Sequence, residues 1–377
     1  MKKNGEQSGL GPPEWKRRWI ALRNRVLGSV GFQDWAARVP PFSFVARRRA
    51  AQVFDLVAGF SYTQVLLAVV EVKLLDLLEK EPCNAATIAA HAGLSRDAAL
   101  RLVRAATALD LAQEVSPGWW MLGQQGAALR KNDGALAMIR HHPLLYADLA
   151  DPVALLQRDR SKPTALADFW RYGAQTPGDT ANRYSELMAT SQAMVAREAI
   201  AAYRFDRHKR LLDVGGGHGA FVRAVADACP DLALGVFDLP PVIAGTARLI
   251  ESASLASRVA LHPGDFFNDS IPDGYDCITL VRILHDHDDA QSLELLRAIR
   301  RALPAGGRLI IAEPMAKTPG AQAMGDAYFG MYLWAMNSGR PRSADEYGEM
   351  LQSAGFARWQ QVKTRQPIIA SLIVSST

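Results

Sequence analysis

Cysteine is scarce in this chain of 377 residues: Cys83, Cys229 and Cys277 lie far apart, with no Cys-x-x-Cys spacing. That argues against a disulfide framework or a zinc site and points to a reducing, cytoplasmic setting. No apolar run approaches the roughly 18 to 20 residues that a spanning helix needs. The polar N-terminus does not read as a signal peptide, so a protein not integral to a membrane is expected. Internal repeats and low-complexity tracts are missing as well. What remains is an ordinary balance of 49% hydrophobic and 21% charged residues, at a length sufficient for two domains.

Positive charge is concentrated at the front. Residues 1 to 50 hold eleven Lys and Arg against Glu6, Glu14 and Asp34, a net of +8, which leaves about −3 for the rest of a chain that totals +5. After Pro12-Pro13, the residues Trp15, Trp19, Leu22 and Val26 recur at helical spacing, with Lys16, Arg17, Arg18, Arg23 and Arg25 between them. This predicts a basic amphipathic helix. Such an arm either lies on an anionic membrane with its tryptophans at the interface, or packs on the body or on a second subunit with its charges in water.

A further helix is expected from Arg47, and another from Phe60 to Leu78 that is dense in Val and Leu. From Cys83 to Arg130 the rhythm is that of a winged helix: a helix ended by Gly93, a second capped by Ser95 or Asp97, then a turn at Ser116-Pro-Gly before Trp119. Arg96, Arg101 and Arg104 are too few, and too mixed with alanine, for a major-groove helix, so nucleic acid is not an expected partner. Residues 131 to 208 read as helical with breaks at prolines, Pro143 among them. The expected domains are a basic arm over 1–45, a helical, winged-helix-like domain over 46–180 and a nucleotide-binding domain over 181–377.

From Arg210 strands and helices alternate, the pattern of a mostly parallel sheet covered on both faces. Strands are expected near Arg210 to Val214, Ala233 to Asp238, Arg258 to His262, Tyr275 to Arg282 and Arg308 to Glu313. Two final strands, Trp359 to Val362 and Ile368 to Val374, should lie antiparallel at the sheet edge. The fold class is thus α/β, Rossmann-like, behind a mainly helical domain.

The stretch Leu211-Leu-Asp-Val-Gly-Gly-Gly-His-Gly reads as strand, tight turn, helix, with glycines that let backbone approach a ligand. Gly215-x-Gly217-x-x-Ala220 fits a relaxed dinucleotide fingerprint, with Asp238 as the ribose acid. The acid two residues before the turn, Asp213, suits an ammonium group, and thus an amino-acid-bearing nucleoside such as S-adenosylmethionine, better than a pyrophosphate. Ligands of such sheets sit at the carboxyl ends of the strands. Asp213, Gly215, Gly217, Asp238, Leu239, Asp265, Phe266 and Arg282 are therefore the candidate cofactor contacts. Asp265 and Phe266 are read against an adenine. His285 is the candidate base, since an imidazole takes a proton near neutrality, and Glu313 could fix its tautomer. The run His285-Asp-His-Asp-Asp invites a metal, but a magnesium site wants oxygen ligands from separate elements, so none is expected. Met188, Met194, Met336 and Asn337 are candidate substrate contacts.

Together with Phe237-Asp-Leu-Pro, Gly264-Asp-Phe-Phe, Arg282-Ile-Leu-His-Asp and Ala305-Gly-Gly-Arg-Leu-Ile-Ile-Ala-Glu-Pro, the glycine stretch resembles the S-adenosylmethionine-dependent O-methyltransferases of the plant caffeate type. The resemblance covers the chain from about Phe54. It implies a winged-helix-like domain used for homodimerisation, His285 as catalytic base with Glu313 as its acidic partner, and S-adenosylhomocysteine as product. Two positions depart from the family: His287 stands where a tryptophan is usual, and Ala344 where a second glutamate often faces the histidine. More narrowly, Phe32-Gln-x-Trp, Ala46-Arg-Arg-Arg-Ala and Phe54-Asp-Leu-Val-Ala-Gly-Phe are similar to the carotenoid 1-hydroxyl methylases of purple photosynthetic bacteria, the hydroxyneurosporene or demethylspheroidene O-methyltransferases. That implies a hydrophobic hydroxylated acceptor and a peripheral place at the inner membrane. A phenolic or polyketide acceptor, or a ligand-sensing regulator, are the competing readings.

Overall fold

A computed structural model describes residues 11–172 and 179–377, and the chain divides into two compact units, residues 1–125 and 126–377. The sequence reading places that seam at 180. In the structure the helix Asp133–Asp148 packs on the helix Asp179–Ala202, which packs on the first helix of the nucleotide-binding fold, so these helices group with the sheet.

In the first unit, the basic helix spans Glu14–Leu27 with no buried residue. The helix expected from Arg47 begins at Phe42 and continues without a break to Glu71, because nothing between those points lacks an N–H or demands another backbone shape. Lys73 at φ 53° then turns the chain into Leu74–Lys80. Over Phe42–Glu71 the helix is long and apolar enough to cross a membrane by length and composition. An uninterrupted apolar run of that length is still lacking in it; the helix qualifies because an 18-residue stretch carries few charges. Phe54, Leu56, Val57 and Phe60 are exposed on it. The winged-helix rhythm is borne out. Asn84 caps Ala85–Ala92, Gly93 ends it at φ 65°, Ser95 caps Arg96–Ala108, and the strands Ala112–Ser116 and Trp119–Leu122 pair as an antiparallel wing. Asp97 pairs with Arg101 one turn on, at 3.3 Å, and does not cap.

The second unit is built on a seven-stranded sheet. Its strands are β1 Arg210–Val214, β2 Ala233–Asp238, β3 Val259–Pro263, β4 Cys277–Val281, β5 Arg308–Glu313, β6 Arg358–Val362 and β7 Ser371–Ser376, in the order β3-β2-β1-β4-β5-β7-β6. The first five run parallel. β7 inserts antiparallel between β5 and β6, with Ser371 opposite Glu313, so of the two closing strands β6 is the one at the sheet edge. Successive side chains alternate between two cores, as the pleat requires. Leu211, Val236, Cys277 and Ile310 face the helices Ala220–Ala228 and Asp179–Ala202. Leu212, Ile278, Leu280 and Ile311 face Asp289–Ala302 and Ala344–Ser353. Burial on both faces is why these strands read as apolar runs. The break expected at Pro143 does not occur: Asp133–Asp148 continues through it, carried by the buried Ile139, His141 and Leu145.

Candidate active site

The carboxyl ends of β1 to β5 converge on one edge of the sheet. After β1, Gly215 and Gly217 take φ of 70° and 55°, and Gly219 at 73° starts the helix Ala220–Ala228. A Cβ on Gly215 would lie 2.5 Å from Ile283 Cδ1 and 3.6 Å from Phe266 Cε1, whereas one on Gly217 would meet nothing within 4 Å. The turn is thus pressed against the loops after β3 and β4 on one side and open on the other, which is a cradle for a flat ligand. Asp238, at the end of β2, accepts from the N–H groups of Gly217 and Leu239, each at 2.7 Å, and so pins the turn. Burial holds its carboxyl above the usual range against those bonds. Asp213 is buried beneath the turn and accepts from Thr279 Oγ1 at 2.6 Å. Burial pushes its carboxyl up to about 7, which the Thr279 hydrogen bond only partly offsets. A buried acid with no cation beside it among the described residues is suited to receive one.

Asp265 closes its own turn, accepting from Phe267 N at 2.9 Å and Asn268 Nδ2 at 2.7 Å. Phe266 meets His287 edge-on at 5.6 Å between centroids, and Phe267 meets it at 5.0 Å. His287 therefore keeps an aromatic ring in the place of the usual tryptophan, and burial lowers its pKa so that it sits there neutral.

His285 lies in a turn that starts with Arg282 in the left-handed region at φ 58° and runs on as one turn of 3₁₀ helix over Leu284–Asp286. Four partners hold this turn. Glu313 Oε1 accepts from the N–H groups of Ile283 and Leu284 at 3.0 and 2.6 Å. Arg342, fully buried, donates to the carbonyls of Leu284 and His287 at 2.6 and 2.7 Å and is itself fixed by Asp289. The N–H of Arg340 reaches the His285 carbonyl at 3.0 Å. Gly339 passes so close that a Cβ there would fall 1.9 Å from that same oxygen.

The imidazole itself is buried. Its Nε2 stands 3.1 Å from Asp286 Oδ1, and its Nδ1 stands 3.8 Å from Glu313 Oε2 with no hydrogen-bond partner. Burial alone would lower its pKa, but the Asp286 and Glu313 carboxylates outweigh it and the net shift is upward. The sequence reading has Glu313 bonding the ring; the structure gives it the turn's backbone and the hydroxyl of Tyr347.

Beside the imidazole is a cavity of about 50 Å³, lined by Trp170, Arg282, His285, Asp286, Tyr332 and Met336 among others. Tyr332 accepts from Trp170 Nε1 at 2.9 Å and pairs with His141 Nε2 at 2.8 Å. Burial lowers His141 to about 4, so it is neutral. Phe329 stacks over His285. Of the substrate candidates, Met336 lines this cavity. Met194 instead fills the notch at Gly134, and Asn337, in a turn at φ 73°, ties Arg158 to the Lys162 carbonyl. The side chain of Met188 lies outside the described residues. Arg282 lines the cavity and donates to Ser191 Oγ at 2.8 Å. Sequence reasoning missed Asp286 as a partner of the ring, and missed Tyr332, Arg342 and Tyr347. Only Tyr347 carried a signal, one helical turn after Ala344.

Residues 146–357 match the O-methyltransferase domain, and residues 54–127 match the O-methyltransferase dimerisation domain. The chain belongs to the O-methyltransferases. It is 43% identical over 371 residues to the demethylspheroidene O-methyltransferase of Rhodobacter capsulatus, covering 97% of this chain and 92% of that one. It is 40% identical to the enzyme of the same name from Cereibacter sphaeroides, covering 93% of each. Among solved structures, CalO1, a methyltransferase of calicheamicin biosynthesis in its S-adenosylhomocysteine-bound form, superposes with a TM-score of 0.73 at 26% identity, covering 87% of this chain and 98% of that one. This O-methyltransferase therefore uses S-adenosylmethionine, the second of the two ligands left open by the glycine turn. Its winged-helix-like unit carries a dimerisation domain rather than a DNA-reading one. That fits a homodimer acting on a small molecule.

Proposed function

We propose that this methyltransferase acts on the tertiary C1 hydroxyl of an acyclic carotenoid of the hydroxyneurosporene or demethylspheroidene type, with His285 as general base. The observation that carries the reading is the 43% identity to a demethylspheroidene O-methyltransferase over 97% of the chain.

S-adenosylmethionine supplies an electrophilic methyl group on a sulfonium. Asp213 and the glycine turn would hold its amino-acid end, Asp238 and Leu239 its ribose, and Asp265 and Phe266 its adenine. Arg282 closes the side toward the acceptor. His285 and Asp286 both face the acceptor cavity. A tertiary alcohol is about as weak an acid as water, whose pKa is 15.7. Full ionisation by an imidazole is therefore ruled out, and the proton must pass to Nε2 of His285 as the new O–C bond forms and the S–C bond breaks. Orientation of the hydroxyl between these groups supplies much of the rate. A cavity of about 50 Å³ is far below the roughly 300 to 1,000 Å³ of an occupied ligand site, so the wall of Trp170, Tyr332 and Met336 must part to admit a polyene.

The arm places the enzyme, cytoplasmic otherwise, at the anionic face of the membrane where such an acceptor dissolves. Trp15 and Trp19 are 71% and 59% exposed on a helix that also carries Arg17, Arg18, Arg23 and Arg25. The test is competition. Equimolar 1-hydroxylated carotenoid and simple phenols are offered with labelled methyl donor, in anionic vesicles, to the full chain and to a form lacking residues 1–30. Preferential labelling of the carotenoid, lost with the arm although cofactor binding persists, supports the reading. Preferential labelling of the phenols would move the enzyme to phenolic acceptors.

A further inference from the structure

The buried Glu313 carboxylate is divided between two tasks. Oε1 is spent on the backbone N–H groups of Ile283 and Leu284. Oε2 is the oxygen that faces Nδ1 of His285, 3.8 Å away, and the phenol of Tyr347 donates to it. Tyr347 is fully buried on the helix Ala344–Ser353, and that Nδ1 is a buried nitrogen without a hydrogen-bond partner among the described residues. For Nε2 to accept a proton from the acceptor it must give up its 3.1 Å contact with Asp286 Oδ1, and the neutral ring must carry its own proton on Nδ1, the side that Oε2 faces among the described residues.

We propose that Tyr347 is a positioning residue for methyl transfer, deciding through its hydrogen bond how strongly Glu313 Oε2 holds the Nδ1 side of His285. The proposal rests on the reading of His285 as base. A carboxylate oxygen has room for two donors, so ring and phenol share Oε2 once a small movement brings Nδ1 from 3.8 Å to the roughly 2.9 Å of a hydrogen bond. A phenol already bonded there draws charge from the oxygen, and the ring is held less tightly than a bare carboxylate would hold it. The other groups that face the imidazole are Asp286 on its own turn, Arg282 at the end of β4, His287 two residues on, Tyr332 across the cavity and Arg342 behind the turn. None of these touches Oε2 among the described residues; Tyr347 does.

The test is the pH dependence of kcat/KM in two variants of the full chain, with opposite signs expected. Tyr347→Phe removes the donor, so the ascending limb should move to higher pH by roughly half to one unit, a fraction of the one to three units that a directly paired charge produces. Plateau turnover should fall by far less than the roughly 10²- to 10⁴-fold that loss of a base costs. Site-specific replacement of Tyr347 by 3-fluorotyrosine keeps the ring in place and strengthens the donor, and should move the limb to lower pH. The fluorinated variant also settles the matter where the Phe variant fails to fold. Limbs superimposable on that of the unmodified enzyme in the folded variants, with or without a loss of rate, overturn the proposal. His285→Gln separates the two readings: near-normal turnover removes the base and the proposal with it, whereas a dead His285→Gln beside unmoved limbs removes the role of Tyr347 alone.

Discussion

Replacing Glu313 by Gln separates the two roles that the structure gives this carboxylate. The amide oxygen of Gln can still accept from the Ile283 and Leu284 N–H groups, so the turn keeps its frame. The change is at the other end, where an NH₂ group now faces Nδ1 of His285, 3.8 Å away. That group donates to Nδ1, forces the ring proton onto Nε2 and leaves no lone pair for the acceptor's proton. A wrong-tautomer change of this kind costs about 10⁴ in hydrolytic triads, and a general base contributes roughly 10² to 10⁴. Turnover should therefore fall by about 10² to 10⁴ while cofactor affinity is unchanged. Bonds to a charged acceptor are worth about 1.5 to 3 kcal/mol and neutral ones about 0.5 to 1.5, so the variant should also lose about 1 to 3 kcal/mol of stability. Glu313→Ala is the poorer probe, because it leaves two buried N–H groups orphaned at about 1 to 3 kcal/mol each. The assays are steady-state turnover, cofactor titration and denaturant unfolding of Glu313→Gln. Loss of stability with near-normal turnover would refute the reasoning and confine Glu313 to the backbone of the turn.

Three further outcomes are expected. The His285 pKa is raised, so kcat/KM should climb with pH through a value above the ordinary 6.5 or so of histidine. The stability this group contributes is fully present below that ordinary value and is lost as pH rises through the folded one; a limb centred below 6.5 would contradict it. Asp213, pushed up to about 7 by burial, should be drawn down when an ammonium arrives. Cofactor binding should then release a proton near pH 6.5 and weaken as the pH falls below about 7, which calorimetry in buffers of different ionisation enthalpy will detect; Asp213→Asn should abolish the release. Gly339→Ala puts a Cβ 1.9 Å from the His285 carbonyl at φ 77°, so the turn must shift. Turnover should drop by about the 10²-fold that a misplacement of about 1 Å costs, with cofactor affinity intact.

The catalytic sheet was legible because its strands are covered on both faces and therefore spell apolar runs, and because positive-φ glycines mark the turn after β1. The winged-helix unit was legible through its caps Gly93 and Ser95, which act within four residues of themselves. What depends on distant contacts was not. The helix at Pro143 survives because its packing outweighs a lost N–H, and β7 lies inside the sheet because the closing hairpin folds back on β5. The frame of His285 is built by Arg342 and Tyr347, more than fifty residues further along, and no local period could attach them to a turn after β4. Asp265 reads as a base contact from its position at a strand end, yet the structure uses it first to close its own turn.

The central claim is that the methyl group ends on a hydroxyl oxygen whose proton His285 has taken. The direct measurement is a single-turnover reaction with an isotopically labelled methyl donor and a 1-hydroxylated acyclic carotenoid, alongside the same polyene without the hydroxyl, in the unmodified enzyme and in His285→Gln, with the product located by mass fragmentation. The account predicts a C1 methyl ether from the hydroxylated polyene alone, slowed by about 10² to 10⁴ in the variant. Label on a carbon, label in the polyene without the hydroxyl, or an undiminished rate in His285→Gln would contradict it.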